Sequence, residues 1–273
     1  MRSERHLVSA AMLLAGFLAL SAQAQYYAVE QIDKGFFISS DPTITHLWRS
    51  DLGDDAKATL VYIPGGDGSA GMKQTSPSEP RHQFYQTLKR LSQKSATSGA
   101  FHVVIYDNPT KFIDQRTLTD RTSSDHMVRI ESVIRHYSSL LKKPIWLMGH
   151  SNGGYSIAEF QRYIAKNGKA DLVQGLIFSA GREEAYFASE VNKPMLFLVS
   201  EQDDCRTTSP SSNQRIYERV RKGNKAATEF VLIKSAQTEA RDPCSSGFHM
   251  YFAAGEEVGR VLDDFLSRHS PSR

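Results

Sequence analysis

Residues 147–154 read Leu-Met-Gly-His-Ser-Asn-Gly-Gly and close the strand-like run "KKPIWLMG" of residues 142–149. How Ser151 is read decides the fold. Either it is a small residue in an ordinary Gly-rich turn, or Gly149-x-Ser151-x-Gly153 is an elbow, a sharp strand-to-helix turn that lifts a Ser hydroxyl over the end of a sheet. With Gly and Ser each at about 7% of residues, the pattern arises by chance in roughly one chain in ten of this length, so the surroundings must decide.

Immediately before the triplet stands the apolar run "PIWLMG" (144–149), and after it Tyr155-Ser156-Ile157-Ala158 opens a segment with Ile157, Phe160 and Ile164 on one helical face. That is the strand–turn–helix context an elbow needs. Gly149 and Gly153 then have a physical role, because so tight a turn leaves no room for side chains beside the nucleophile.

Further out the same alternation recurs. Strand candidates are "GFFIS" (35–39), "THLWR" (45–49), "TLVYIP" (59–64), "HVVIYD" (102–107), "PIWLMG" (144–149), "GLIFSA" (175–180), "PMLFLVS" (194–200) and "FVLIKS" (230–235). Several are continuous rather than alternating apolar runs, the pattern of strands buried on both faces of a mostly parallel sheet. Helix patterns cover about 80–93, 125–142, 153–167, 211–222 and 256–268, the last with Val258, Val261, Leu262, Phe265 and Leu266 in one stripe. The predicted fold class is α/β: a doubly wound, mostly parallel eight-stranded sheet with helices on both faces. In such a sheet ligands bind at the carboxyl ends of the strands.

The 273 residues suit a single such domain once the start is set aside. Residues 1–25, "MRSERHLVSAAMLLAGFLALSAQAQ", place Arg2 and Arg5 before an apolar run from Val8 to Leu20, followed by Ala22-Gln23-Ala24. This is the three-part pattern of a secretory signal over residues 1–24, cut after Ala24, leaving one domain over 25–273 that is periplasmic or secreted. No later stretch is long and apolar enough to span a bilayer, so no stable membrane insertion is expected after cleavage. The formal charge of +3 loses Arg2, Glu4 and Arg5, leaving 31 basic and 29 acidic residues, or +2. Nucleic acid binding gets no electrostatic support from that balance.

A Ser hydroxyl needs a base. Among nine histidines, His6 leaves with the signal, five precede the elbow, and His150 lies within it, with its side chain expected to point away from Ser151. In the Ser…Asp/Glu…His order that accompanies an elbow, His249 and His269 remain. His269 falls in the tail "SRHSPSR", read as frayed, whereas His249 in "SSGFHMYF" lies between the last strand and the last helix and is the predicted base. The acid must accept a hydrogen bond from that His. "EQDDC" after the seventh strand candidate offers Glu201, Asp203 and Asp204; Asp203 is preferred and Asp204 is the alternative.

The chain's two cysteines flank this pair: Cys205 follows the candidate acid, and Cys244 lies five residues before the candidate base. Export puts them in an oxidising compartment, so a Cys205–Cys244 disulfide is expected to tie the acid loop to the base loop. Donors for a developing oxyanion are the backbone N–H of Asn152 and one from Pro64-Gly65-Gly66-Asp67-Gly68-Ser69, supplied by Gly66 or Asp67. No G-K-[ST] follows that Gly-rich turn, which separates it from a phosphate-binding loop.

Taken in order, "YIPGGDGS" (62–69), "GHSNGG" (149–154), "FLVSEQDDC" (197–205) and "GFHMYF" (247–252) resemble the α/β-hydrolase superfamily over nearly all of the mature chain. The Gly-rich loop departs from the His-Gly-Gly-Gly form of many lipases and esterases, with Pro64 where His often stands. The resemblance implies a serine hydrolase with no metal or organic cofactor, acting on carboxylic esters through an acyl-enzyme. An acyltransferase or a peptidase would use the same residues, and a non-catalytic binding protein with this fold is the rival from another class. Residues 182–193 are too few for a large cap domain, so a small-molecule or polymeric ester is the expected substrate, with segments 68–80 and 108–124 as possible covers.

Overall fold

Apolar runs too short for helices become strands where both of their faces can be covered. In the computed structural model, which describes residues 25–29, 42–72, 82–107, 118–188, 192–237, 242–245 and 247–271, the central runs do so. They are β3 (Ala58–Ile63), β4 (Phe101–Asp107), β5 (Ile145–His150), β6 (Gly175–Ser179) and β7 (Met195–Ser200), and every one of their residues is buried. With β1 (Gln25–Val29), β2 (Thr43–Trp48) and β8 (Thr228–Ile233) they make one eight-stranded sheet in the order β1-β2-β4-β3-β5-β6-β7-β8. The pairs β1–β2 and β2–β4 are antiparallel, while every pairing from β4–β3 to β7–β8 is parallel.

Successive strand residues point to opposite faces, which divides the core in two. Leu60 and Tyr62 of β3 pack with Phe84 and Leu88 of α1 (Gln83–Lys89) and with Val258, Leu262 and Phe265 of α6 (Gly255–His269). Val61 and Ile63 face the other side, against α3 (Ser124–Leu141), α4 (Asn152–Lys166) and α5 (Pro210–Gly223). The short α2 (Leu118–Arg121) precedes α3. Local signals set the helix ends: Ser123 caps α3 by accepting from His126 N, and Ser209 caps α5 with Pro210 at its first position.

Some expectations need correction. The first helix is shorter than 80–93: the His82 side chain caps it at Phe84 N, and after Lys89 the chain tightens into a single 3₁₀ turn, Arg90–Ser92. The tail is not frayed at His269, because α6 continues to that residue and the buried Trp146 indole donates to Ser270 Oγ at 3.0 Å. Strand β8 is only partly buried, since it forms the sheet edge and pairs with β7 alone. The strand at 25–29 was not foreseen, while the candidate at 35–39 and the signal segment 1–24 lie outside the described residues. Among the described residues, no helix is long and apolar enough to cross a membrane.

Candidate active site

Parallel pairing brings the carboxyl ends of β3, β5, β7 and β8 to one rim of the sheet, and each delivers a loop there. At the end of β5, Ser151 takes φ 54° and ψ −121°, a conformation a non-Gly residue holds at roughly 1–3 kcal/mol. The turn is close: a Cβ on Gly153 would fall 2.1 Å from Ile63 O, and one on Gly149 would fall 2.1 Å from Gly153 O. Ser151 occupies the N-cap position of α4, where a Ser hydroxyl ordinarily accepts from the first turn, yet its side chain makes no capping bond. Backbone bonds from Ser151 N to Ser179 O and from Gly154 N to Ser151 O hold the turn.

At the end of β7 the two aspartates separate. Asp203 is buried and Asp204 is exposed, and Asp203 Oδ2 lies 2.9 Å from His249 Nδ1. The pair is closed to solvent, with side-chain exposures of 0% for Asp203 and 1% for His249. Cys205 N donates to Asp203 Oδ1 at 3.0 Å, and the Thr208 hydroxyl donates to Oδ2 at 3.1 Å. With Nδ1 donating to the carboxylate, the acceptor lone pair of His249 falls on Nε2. The His249 ring lies tilted against that of His150, the residue before Ser151, with centroids 4.7 Å apart, which places it beside the elbow. Glu201 is exposed and takes no part in this arrangement.

Tyr251 anchors the His249 loop. Its hydroxyl donates to Leu198 O on β7 at 2.8 Å and lies 3.0 Å from Ser179 Oγ on β6. Since the Tyr proton is committed to Leu198, the Ser179 hydroxyl donates to Tyr251 and accepts from His150 Nδ1 at 3.1 Å. Burial, with His249 nearby, pushes the His150 imidazole well below its ordinary range, so it stays neutral under the site.

The loop after β3 lies against the elbow, where a Cβ on Gly65 would fall 2.8 Å from Ser151 Cβ. Gly66 adopts φ 54°, and its carbonyl accepts from Asn152 Nδ2 at 2.8 Å. The fully buried Arg121 donates to Pro64 O, Gly65 O and Gly66 O at 3.1, 3.3 and 3.0 Å, and to Ser156 Oγ at 2.8 Å. Burial pulls its guanidinium down to about 10, which leaves it charged at neutral pH. Sequence reasoning did not single out Arg121, Thr208 or Tyr251. Among the described residues, no group of three or more His, Cys, Asp or Glu side chains converges as metal ligands would.

Solved structures share this architecture. The chain is similar to an α/β serine hydrolase without lid from Xanthomonas campestris, at 12% identity over 93% of this chain and 98% of that one, with a TM-score of 0.61. It is similar to an esterase of Pyrococcus furiosus at 12% identity, covering 91% and 93% of the two chains with a TM-score of 0.59. An α/β serine hydrolase homologue from Coxiella burnetii matches at 17% identity over 89% and 97%, with a TM-score of 0.58.

The fold is that of the α/β hydrolases.

No family model matches the chain, and no curated protein matches it by sequence. What an α/β-hydrolase fold contributes here is the rim, where loops from four parallel strands meet.

The two cysteines form a disulfide, Cys205–Cys244, with Cα atoms 4.5 Å apart and a sequence separation of 39. The bridge joins the loop of Asp203 to the chain leading into His249, and Cys205 N is itself bonded to the Asp203 carboxylate. In the chain-entropy treatment, closing such a loop stabilises by roughly 4 kcal/mol. Reduction, or the double replacement Cys205→Ser and Cys244→Ser, is expected to lower the thermal midpoint by removing the loop closure. Calorimetry with and without reductant checks it; an unchanged midpoint would leave the bridge without a part in stability.

Proposed function

We propose that the chain is an exported serine hydrolase that cleaves carboxylic esters. One observation carries the reading: at one rim of the sheet, a Ser held at φ 54° without capping its helix lies beside a buried His249–Asp203 pair 2.9 Å apart. In this mechanism Ser151 Oγ attacks the ester carbonyl while His249 Nε2 takes its proton. Asp203 holds the tautomer and stabilises the imidazolium. The oxyanion is met by the N–H of Asn152, at the start of α4, and by that of Gly66 or Asp67. His249 then returns the proton to the leaving alcohol, and water, activated by the same imidazole, releases the acid.

Export is supported by the pattern of residues 1–24 and by a disulfide, which persists in oxidising compartments. Residues 180–188, between β6 and β7, form no helix, which favours an open site and a bulky or polymeric ester.

The reading is tested with a fluorophosphonate probe and a series of p-nitrophenyl esters of graded acyl length. A single adduct on Ser151, with turnover that depends on chain length, is expected. Absence of both labelling and turnover would point instead to a binding protein that keeps the fold.

A further inference from the structure

We infer that Arg121 is a positioning residue for the reaction, one that sets the direction of the oxyanion donors by gripping the far side of their peptide units. The inference rests on the serine-hydrolase reading above and extends it to a residue outside the triad. Burying a guanidinium is costly unless its donors are met by well-placed acceptors. Arg121 is fully buried, and its bonds go to three successive carbonyls, those of Pro64, Gly65 and Gly66. A structural Arg could satisfy its fork on many acceptors; this one places three of its bonds on the loop that leans on Ser151.

The geometry of the peptide group gives the consequence. No described peptide bond is cis, and in a trans peptide the carbonyl and the following N–H point in opposite directions. Holding the oxygens of residues 64, 65 and 66 toward Arg121 therefore turns the N–H groups of Gly65, Gly66 and Asp67 away from it. Gly66 and Asp67 carry the N–H groups assigned to the oxyanion. A cation at the carbonyl end also polarises each unit and strengthens its N–H as a donor, as in any hydrogen-bonded chain.

Two further contacts fix the grip. Ser156 Oγ, on the second turn of α4, accepts from Arg121 at 2.8 Å and lies 2.9 Å from His126 Nε2. The Gly66 carbonyl takes a second bond from Asn152 Nδ2, linking the loop to the residue that supplies the other donor. Left to itself, a Gly-Gly-Asp-Gly loop with positive φ at Gly66 and Gly68 has wide conformational freedom. Lys offers three donors on one compact charge in place of a planar five-donor fork, so it cannot meet the three carbonyls and Ser156 Oγ together.

The test compares wild type, Arg121→Gln, Arg121→Lys and Ser156→Ala. Each is assayed on p-nitrophenyl acetate and on its thiono analogue, in which sulfur replaces the carbonyl oxygen. Sulfur is a weak acceptor, so the oxo-to-thiono ratio of kcat reports on the oxyanion donors, whereas partial unfolding lowers both rates by one factor and leaves the ratio alone. Arg121→Gln is expected to lose about 10²-fold in kcat on the oxo ester, the scale of one lost oxyanion donor, with KM little changed and the ratio reduced. Arg121→Lys should recover little of it. Should the Arg121 variants fail to fold, Ser156→Ala, which leaves the loop sequence intact, is expected to shift the ratio the same way by a smaller factor. An active wild type whose ratio is unchanged in every folded variant would overturn the role of Arg121 alone. A wild type that neither turns over esters nor takes the fluorophosphonate would overturn the hydrolase reading, and Arg121 with it.

Discussion

Ser151→Ala is expected to abolish ester hydrolysis while leaving the fold in place. The residue is only half-buried, its side chain caps nothing, and alanine keeps the Cβ, so neither a cavity nor a new steric demand arises at φ 54°. The thermal midpoint should therefore stay close to wild type. Chemistry is another matter, because without Oγ no acyl-enzyme forms, and the oxyanion donors and His249 have only water to work with. Removing a triad Ser lowers kcat by about 10⁶-fold where it has been measured in other enzymes, and a loss on that scale is expected here. Initial rates on the best p-nitrophenyl ester, read beside a melting curve, check both halves. A folded variant that keeps more than about a tenth of wild-type turnover would remove Ser151 from the mechanism.

Much of this fold is written in the sequence because its central strands are covered on both sides. The runs around Val61, Val104, Leu147, Ile177 and Phe197 are continuously apolar at their centres, with polar residues such as Thr59, His102 and Asp107 toward their ends, and the five named residues are fully buried. Where coverage fails the signal fades. Strand β8 has the same kind of composition, yet as an edge strand it is largely half-exposed. Strand β1 is five residues long and owes its existence to pairing with β2, a long-range partner that no local pattern announces.

The site divides in the same way. Ser151, Asp203 and His249, the nucleophile, acid and base of the proposed reading, stand out in the sequence because each follows a strand candidate in a fixed chain order, and folding sets Asp203 against His249. Arg121, Thr208 and Tyr251 were not, since each is a single polar residue whose meaning comes from what folding sets beside it: three carbonyls for Arg121, the Asp203 carboxylate for Thr208, and Leu198 O for Tyr251. His150, expected to point away from Ser151, is buried against Phe84, Tyr251 and His249, where it forms part of the floor under the His249 ring. A neutral imidazole with one nitrogen bonded to Ser179 suits that place.

The choice between adjacent aspartates shows how one step of register changes an outcome, and it gives the second large effect. Asp203→Asn is expected to lower kcat by about 10⁴-fold, the loss that accompanies a triad His held in the wrong tautomer. The replacement is nearly isosteric, so packing around the 4%-exposed residue is kept. Its amide can present N–H where Oδ2 now accepts from His249 Nδ1 at 2.9 Å. His249 would then turn its acceptor nitrogen toward the amide and carry its proton on Nε2, where Ser151 needs a base. Thr208, which donates to the same carboxylate oxygen, adds to the mismatch, because its hydroxyl would meet a second donor. Asp204→Asn should leave kcat and KM near wild type, since that side chain is exposed to water, whereas it is Asp203 that His249 and Thr208 meet in the buried pair. Steady-state kinetics on the two variants decide the matter. If Asp204→Asn were the silent enzyme and Asp203→Asn the active one, the buried pair would be structural and the triad acid would lie one residue along.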